Sequence, residues 1–160
     1  MPRLQHELGK RRPFDVPEQE AWLNLQRSAE FLSGDFDHLF KSHGLSTAQH
    51  NVLRILRGHG KPVPSLSIAG EMVARVPDIT RLVDRLEGAG LVERRRCVED
   101  RRVVFVSITR KGLELVGSLD RPVVQLHRAQ LGHLSRKELA ELNRLLEKAR
   151  TAPRSPPHGP

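Results

Sequence analysis

Apolar positions along this chain keep a helical rhythm for most of its length and a strand rhythm in one short stretch. Trp22, Leu25, Ala29, Leu32, Phe36 and Leu39 recur at steps of 3, 4, 3, 4 and 3, the spacing of a single stripe on a long amphipathic helix. Asp15, Pro17 and Glu18 supply its start signals and Gly44, just after His43, its stop. Ser46-Thr47-Ala48-Gln49 is a capping box, and Val52, Leu53, Ile55 and Leu56 fill a helix running to Gly58. Gly60 to Pro64 reads as a loop. A short helix is expected around Ser67–Ala74 and another from about Pro77 to Ala89, with Gly90 as a left-handed cap. Leu91–Arg96 and Val103–Thr109 read as strands, Val104, Val106 and Ile108 alternating on one face, with a polar turn at 97–102. Helical spacing returns after Thr109 and continues to about Leu131. Pro122 should kink or break it, since an interior proline costs about 3 kcal/mol. Ser135 to Glu138 forms a further capping box before Leu139, Leu142, Leu145 and Leu146.

These elements predict a mainly α fold with one small β-hairpin. Residues 1–14 form a flexible arm, 15–45 an N-terminal helix, 46–112 a compact unit, 113–150 C-terminal helices and 151–160 a disordered, proline-rich tail. Within the compact unit the order is helix, short helix, helix, strand, charged turn, strand: that of a winged helix-turn-helix. Such a motif needs a helix that buries one face and offers short or basic side chains to a DNA groove. Residues 77–89 fit. Ile79, Leu82, Val83 and Leu86 form the buried stripe, while Asp78, Thr80, Arg81, Asp84 and Arg85 point away. Thr80 and Arg81 stand near the helix N-terminus, where arginine pairs with guanine and threonine with phosphate or a thymine methyl. The competing reading has Arg81 and Arg85 paired on the surface with Asp78, Asp84 or Glu87.

Charge sharpens this picture. The 160 residues carry 27 Lys and Arg against 19 Asp and Glu, for a net +8. The stretch Arg94–Gly112 alone contributes +5, from seven basic and two acidic side chains, whereas residues 75–93 total −1. A phosphate-facing surface concentrates charge in this way. The alternative occupant of such a basic hairpin is an acidic protein partner. A single Cys excludes a disulfide framework or a multi-cysteine zinc site within one chain. None of the eight His lies three or four residues from another, so no metal or other cofactor is expected. The sequence has neither an apolar run of roughly 20 residues nor a signal-peptide core, and a cytoplasmic, non-membrane protein is expected. Phosphate-binding loops, dinucleotide fingerprints and nucleophile elbows are absent, and no enzyme is expected.

Taken together, Thr80-Arg81-Leu82-Val83-Asp84-Arg85-Leu86-Glu87, Gly90-Leu91-Val92, Asp100-Arg101-Arg102 and Val106-Ser107-Ile108-Thr109-Arg110-Lys111-Gly112 resemble the MarR family of bacterial transcription regulators, over roughly residues 17–150. The resemblance implies an obligate homodimer on a near-palindromic double-stranded DNA site, most often as a repressor. It implies that Asp100 orients the wing by a salt bridge and that Arg102, with Arg101, enters the minor groove, while Arg94, Arg95 and Arg96 flank the backbone. The terminal helices then become dimerisation elements, with Trp22, Leu25, Leu32, Leu126, Leu142 and Leu145 as interface residues. Many relatives release DNA when a small aromatic effector enters a cleft. Here Trp22, His50, Arg54 and His127 are the residues expected to reach it, although core packing is the favoured role for Trp22. Relatives that sense peroxides use a cysteine on the first helix assisted by tyrosines. This chain has no Tyr and its only Cys, Cys97, in the wing turn. Cys97 is therefore expected to be a tolerated loop residue, the alternative being a reactive thiol among arginines.

Overall fold

The structure, a computed structural model, describes residues 3–98, 100 and 103–151. Eight helices and three short strands appear among them: α1 (Arg3–Glu7), α2 (Pro17–Ser42), α3 (Thr47–His59), β1 (Val63–Pro64), α4 (Ser65–Glu71), α5 (Ile79–Gly88), β2 (Val92–Arg96), β3 (Val104–Ile108), α6 (Arg110–Ser118), α7 (Asp120–Leu131) and α8 (Arg136–Thr151). Two compact units result, residues 1–123 and 124–160. The expected tail lies, apart from Thr151, outside the described residues.

The first unit holds the core. Val52, Leu53, Ile55 and Leu56 of α3, Ile68 of α4, Val83 and Leu86 of α5, Val106 of β3 and Val116 of α6 are all buried, and Phe40 closes the cluster from the C-terminal end of α2. The three strands form an antiparallel sheet in the order β1-β3-β2, with Arg94 opposite Val106 and Arg96 opposite Val104. β1 falls in a stretch read as loop. Two residues carry no periodicity, and only the open edge of β3, paired Val63 to Val106 and Pro64 to Phe105, makes them a strand.

Local chemistry sets most helix ends. Ser46 accepts the Gln49 N–H at 3.2 Å, and the Gln49 side chain accepts the Ser46 N–H at 2.8 Å, so the capping box forms. Ser135 and Glu138 form the equivalent pair before α8. The corresponding expectation for α2 fails: its N-cap is Val16 with no side-chain cap, Pro17 takes the first position, and the Asp15 N–H donates to Gln19. α3 continues through Gly58 to His59 and ends on Gly60. α4 starts two residues before its expected position and stops where Met72 turns extended. α5 starts at Ile79 rather than Pro77, because the Asp78 carboxylate accepts the Arg81 N–H at 3.0 Å and makes Asp78 the cap. Gly90, at φ 70°, supplies the left-handed turn into β2. Pro122 sits in the first turn of α7, where its missing N–H costs nothing, and the expected break falls at Leu119.

Residues 3–7, read as part of an arm without periodicity, form α1 with Leu4 and Gln5 buried. The Glu7 carboxylate meets Arg27 of α2 at 3.0 Å. Farther along, the apolar stripe of α2 divides in two. Phe36, Leu39 and Phe40 pack on the core, whereas Trp22 is 59% exposed and Leu25 46%. The core role favoured for Trp22 is thus not met within its own chain.

The second unit comprises the rest of α7 and α8 and, among the described residues, buries none within the single chain. Leu142 and Leu145 lie exposed on α8, and Leu126 is half-buried on α7. Among the described residues no helix is long and apolar enough to cross a membrane.

Candidate nucleic-acid interface

α5 is built as the sequence pattern requires. Ile79, Val83 and Leu86 are buried with Leu82 half-buried beside them, and Thr80, Arg81 and Arg85 are exposed. Asp78 is also exposed, but its carboxylate serves as the helix cap. The surface pairing considered for Arg81 and Arg85 does not form: among the described residues neither guanidinium has a carboxylate partner. Two cations therefore remain available on the outer face of a helix whose neighbouring acids are engaged elsewhere.

Those acids are engaged by the hairpin. Arg94 of β2 donates through Nε and Nη2 to Glu87 Oε2 at 2.9 and 2.5 Å, and through Nη1 to Asp84 Oδ1 at 2.5 Å. Its own backbone N–H adds a bond to Glu87 Oε1 at 3.1 Å. Hydrogen bonding and proximity to Arg94 hold the Glu87 carboxyl below the usual range and raise the guanidinium. Arg94 was expected beside Arg95 and Arg96 at the phosphate backbone. Strand alternation puts it on the face opposite Arg95, and of the two arginines on its own face it is Arg94, nearer the Gly90 turn, that reaches α5, while Arg96 lies beyond at the end of β2. Arg95 is 78% exposed with a loose 3.7 Å contact to Glu93, and Arg96 is exposed at the end of β2.

Beyond Arg96 the wing narrows into a turn. The Cys97 N–H donates to the Val103 carbonyl and the Val103 N–H to the Asp100 carbonyl, each at 2.9 Å. Cys97 is half-buried and free. Arg101 and Arg102, expected to enter the minor groove, lie outside the described residues. Asp100 is exposed and its contacts include more than these backbone bonds.

The far end of α5 is fixed by the segment after the wing, through residues singled out in the sequence only as part of a pattern. Lys111 Nζ donates to the Ala89 carbonyl and Thr109 Oγ1 to the Gly90 carbonyl, both at 2.8 Å. Thr109 also caps α6 by accepting the Gly112 N–H at 3.1 Å. A cation at a helix C-terminus further complements the helix dipole. No periodicity marks these contacts, because they join residues about 20 apart.

A second polar cluster lies on α3. His50 stacks on Phe40 with ring centroids 4.1 Å apart. Burial, then the charges of Arg54 and Arg57, lower its pKa, and Asp120 opposes them. Arg54 donates twice to buried Asn51, and Arg57 grips Asp120 through two bonds of 2.8 and 2.7 Å. His50 and Arg54 thus share α3, Trp22 stands exposed on α2, and His127 belongs to the second unit. A cavity of about 570 Å³ involves none of these four; Leu8, Leu23, Gln26, Arg27, Glu30 and Phe31 line it. Among the described residues no three His, Cys, Asp or Glu side chains gather as a metal site.

Comparison with known proteins agrees with this geometry. The MarR family pattern matches residues 45–104, from just before α3 into the wing. The transcriptional repressor IacR of Pseudomonas putida is 30% identical over 113 residues, 71% of this chain and 67% of its own length. The transcriptional regulator PecS of Dickeya dadantii (strain 3937) is 27% identical over 145 residues, 89% of this chain and 87% of its own. A MarR transcription factor from Planctomyces limnophilus, known from its crystal structure, is 45% identical. That match covers 85% of this chain and 99% of the other, with a TM-score of 0.66. With its winged helix-turn-helix, the exposed arginines of α5 and these relatives, the chain belongs to the MarR family of DNA-binding transcriptional regulators.

Proposed function

We propose that this regulator is a cytoplasmic homodimer that represses its target genes from a near-palindromic operator and is released by a small aromatic effector. The observation that carries the DNA-reading part is the outer face of α5. Thr80, Arg81 and Arg85 are exposed there, the two arginines without an ion pair among the described residues, and residues 94–112, which span the wing and the start of α6, total +5. In this reading the two α5 helices of the dimer enter successive major grooves about 10 base pairs apart. Thr80, Arg81 and Arg85 read bases or position the helix, and Asp78 holds its N-terminus. Arg95 and Arg96 meet phosphates, and Arg101 and Arg102 enter the minor groove with Asp100 orienting the wing.

Dimerisation is supported by the apolar surface a single chain leaves open: Trp22 and Leu25 on α2, with Leu32 half-buried beside them, Leu142 and Leu145 on α8, and Leu126 on α7. Burying such surface in a symmetric interface contributes about 25 cal/mol per Å². An effector would bind near Trp22, His50 and Arg54 of the first unit. It shifts the equilibrium only through different affinity for the binding and non-binding arrangements.

The decisive experiment selects duplexes from a random DNA pool and measures their affinity by fluorescence anisotropy. On the recovered site Arg81→Ala should cost about 1–3 kcal/mol and relax sequence preference. Arg102→Ala should weaken selected and unrelated DNA alike, as loss of a backbone or groove cation does. Wild-type affinity in both variants would overturn this division of roles. Failure to enrich any duplex would instead favour an acidic protein as the partner of the hairpin.

A further inference from the structure

We infer that Arg94 serves DNA binding as a positioning residue that covers the two carboxylates of α5, and does not itself bind phosphate. This rests on the DNA-reading role proposed for α5. The sequence places Arg94 in a run of three arginines, and charge alone makes the three equivalent. Geometry separates them. Three of the five guanidinium N–H groups of Arg94 point at Asp84 and Glu87, its backbone N–H points at Glu87, and its side chain is 31% exposed against 78% for Arg95.

The consequence for the helix follows from charge. Asp84 lies between Arg81 and Arg85 in the sequence of α5, and Glu87 lies one turn beyond Asp84. Both remain partly exposed, at 48% and 37%. Uncovered, they would place two negative charges beside the two cations that meet a polyanion. A fork from β2 cancels much of that field and ties the wing to α5 at the same point. Glu87 and Arg94 are seven residues apart, and the Gly90 turn between α5 and β2 brings them together. The shared charge pair also accounts for the coexistence of a helix segment of net −1 with a DNA-binding role.

The test uses the full chain and a duplex recovered by the wild type from a random pool, with affinities measured across a KCl series. Arg94→Gln keeps much of the side chain's reach and removes its charge. It should weaken binding about tenfold, equivalent to about 1.4 kcal/mol, while leaving the slope of log affinity against log salt unchanged. Arg95→Ala and Arg96→Ala should each flatten that slope by about 0.9, the signature of one lost phosphate contact. Adding Asp84→Asn and Glu87→Gln to Arg94→Gln should restore affinity to within about threefold of the wild type, a residual of about 0.7 kcal/mol. A merely structural role for Arg94 predicts no such rescue. Flattening of the slope by about 0.9 in Arg94→Gln, or a triple variant as weak as Arg94→Gln, would overturn the inference. Circular dichroism checks folding; if Arg94→Gln fails to fold, the triple variant is compared with the wild type, an unchanged slope supporting the inference and a slope flatter by about 0.9 overturning it. Absence of any duplex enriched by the wild type would sink the DNA reading itself, a result distinct from either.

Discussion

Gly112 opens the first turn of α6 directly against the backbone that leaves α5. A Cβ there would lie 2.3 Å from the Leu91 carbonyl oxygen and 2.8 Å from Ile108 Cγ1. That oxygen already accepts the Thr109 N–H at 3.0 Å, so it cannot retreat without loosening the bond that joins the end of β3 to the start of β2. Gly112→Ala therefore adds an overpacking cost of about 1–3 kcal/mol and weakens a hydrogen bond of about 0.5–1.5 kcal/mol. The gain in helix propensity offsets at most about 1 kcal/mol. The net loss should be about 1–3 kcal/mol, and for a chain of this length each kcal/mol lowers Tm by about 2–4 °C. Gly117 is the matched control: it lies in the same helix and a Cβ there meets nothing within 4 Å. Gly117→Ala should be neutral or stabilising by up to about 1 kcal/mol. Urea titrations at one protein concentration compare the two, and a shifted midpoint at constant slope marks a true stability change. Equal stability of Gly112→Ala and Gly117→Ala would refute the close approach and, with it, the account of how α6 fixes the C-terminal end of α5.

Two further outcomes test other parts of the structure. His50 has a folded-state pKa lowered first by burial and then by Arg54 and Arg57, against the opposing charge of Asp120. The unfolded chain therefore takes up a proton more readily than the folded one, so stability should be complete above the ordinary value of 6.5 and fall as pH drops below it. His50→Gln should show a shallower decline between neutral and mildly acidic urea titrations, and identical pH dependence in both proteins would contradict the assignment. On the proposed dimer surface, Leu25→Glu combined with Leu145→Glu should shift sedimentation towards the monomer, since a charge buried in an apolar interface costs several kcal/mol. An unchanged dimer would place the interface elsewhere.

How much was legible in the sequence depends on the range of the interaction. The buried stripe of α5, the caps at Ser46 and Ser135 and the break near Pro122 rest on residues within a turn or two of each other, and periodicity or capping chemistry exposes them. The exposed position of Thr80, Arg81 and Arg85 was legible for the same reason. β1 was not, because two residues become a strand only through the open edge of β3. α1 was not, because its ordered position depends on contacts such as Glu7 with Arg27 across a gap of 20 residues.

The sequence by itself therefore determined the order of the helices from α2 to α8 and of the two wing strands, the face that α5 buries, and the concentration of positive charge in residues 94–112. All three follow from local spacing and composition. Only the tertiary structure decided how the other charges are spent: Arg94 on Glu87 and Asp84, Lys111 on the end of α5, and Arg81 and Arg85 on none of the described carboxylates. The physical reason is that an ion pair is fixed by distance in space. A strand's alternation and one left-handed glycine turn bring Arg94 back onto the helix seven residues before it, while its neighbour Arg95 faces solvent.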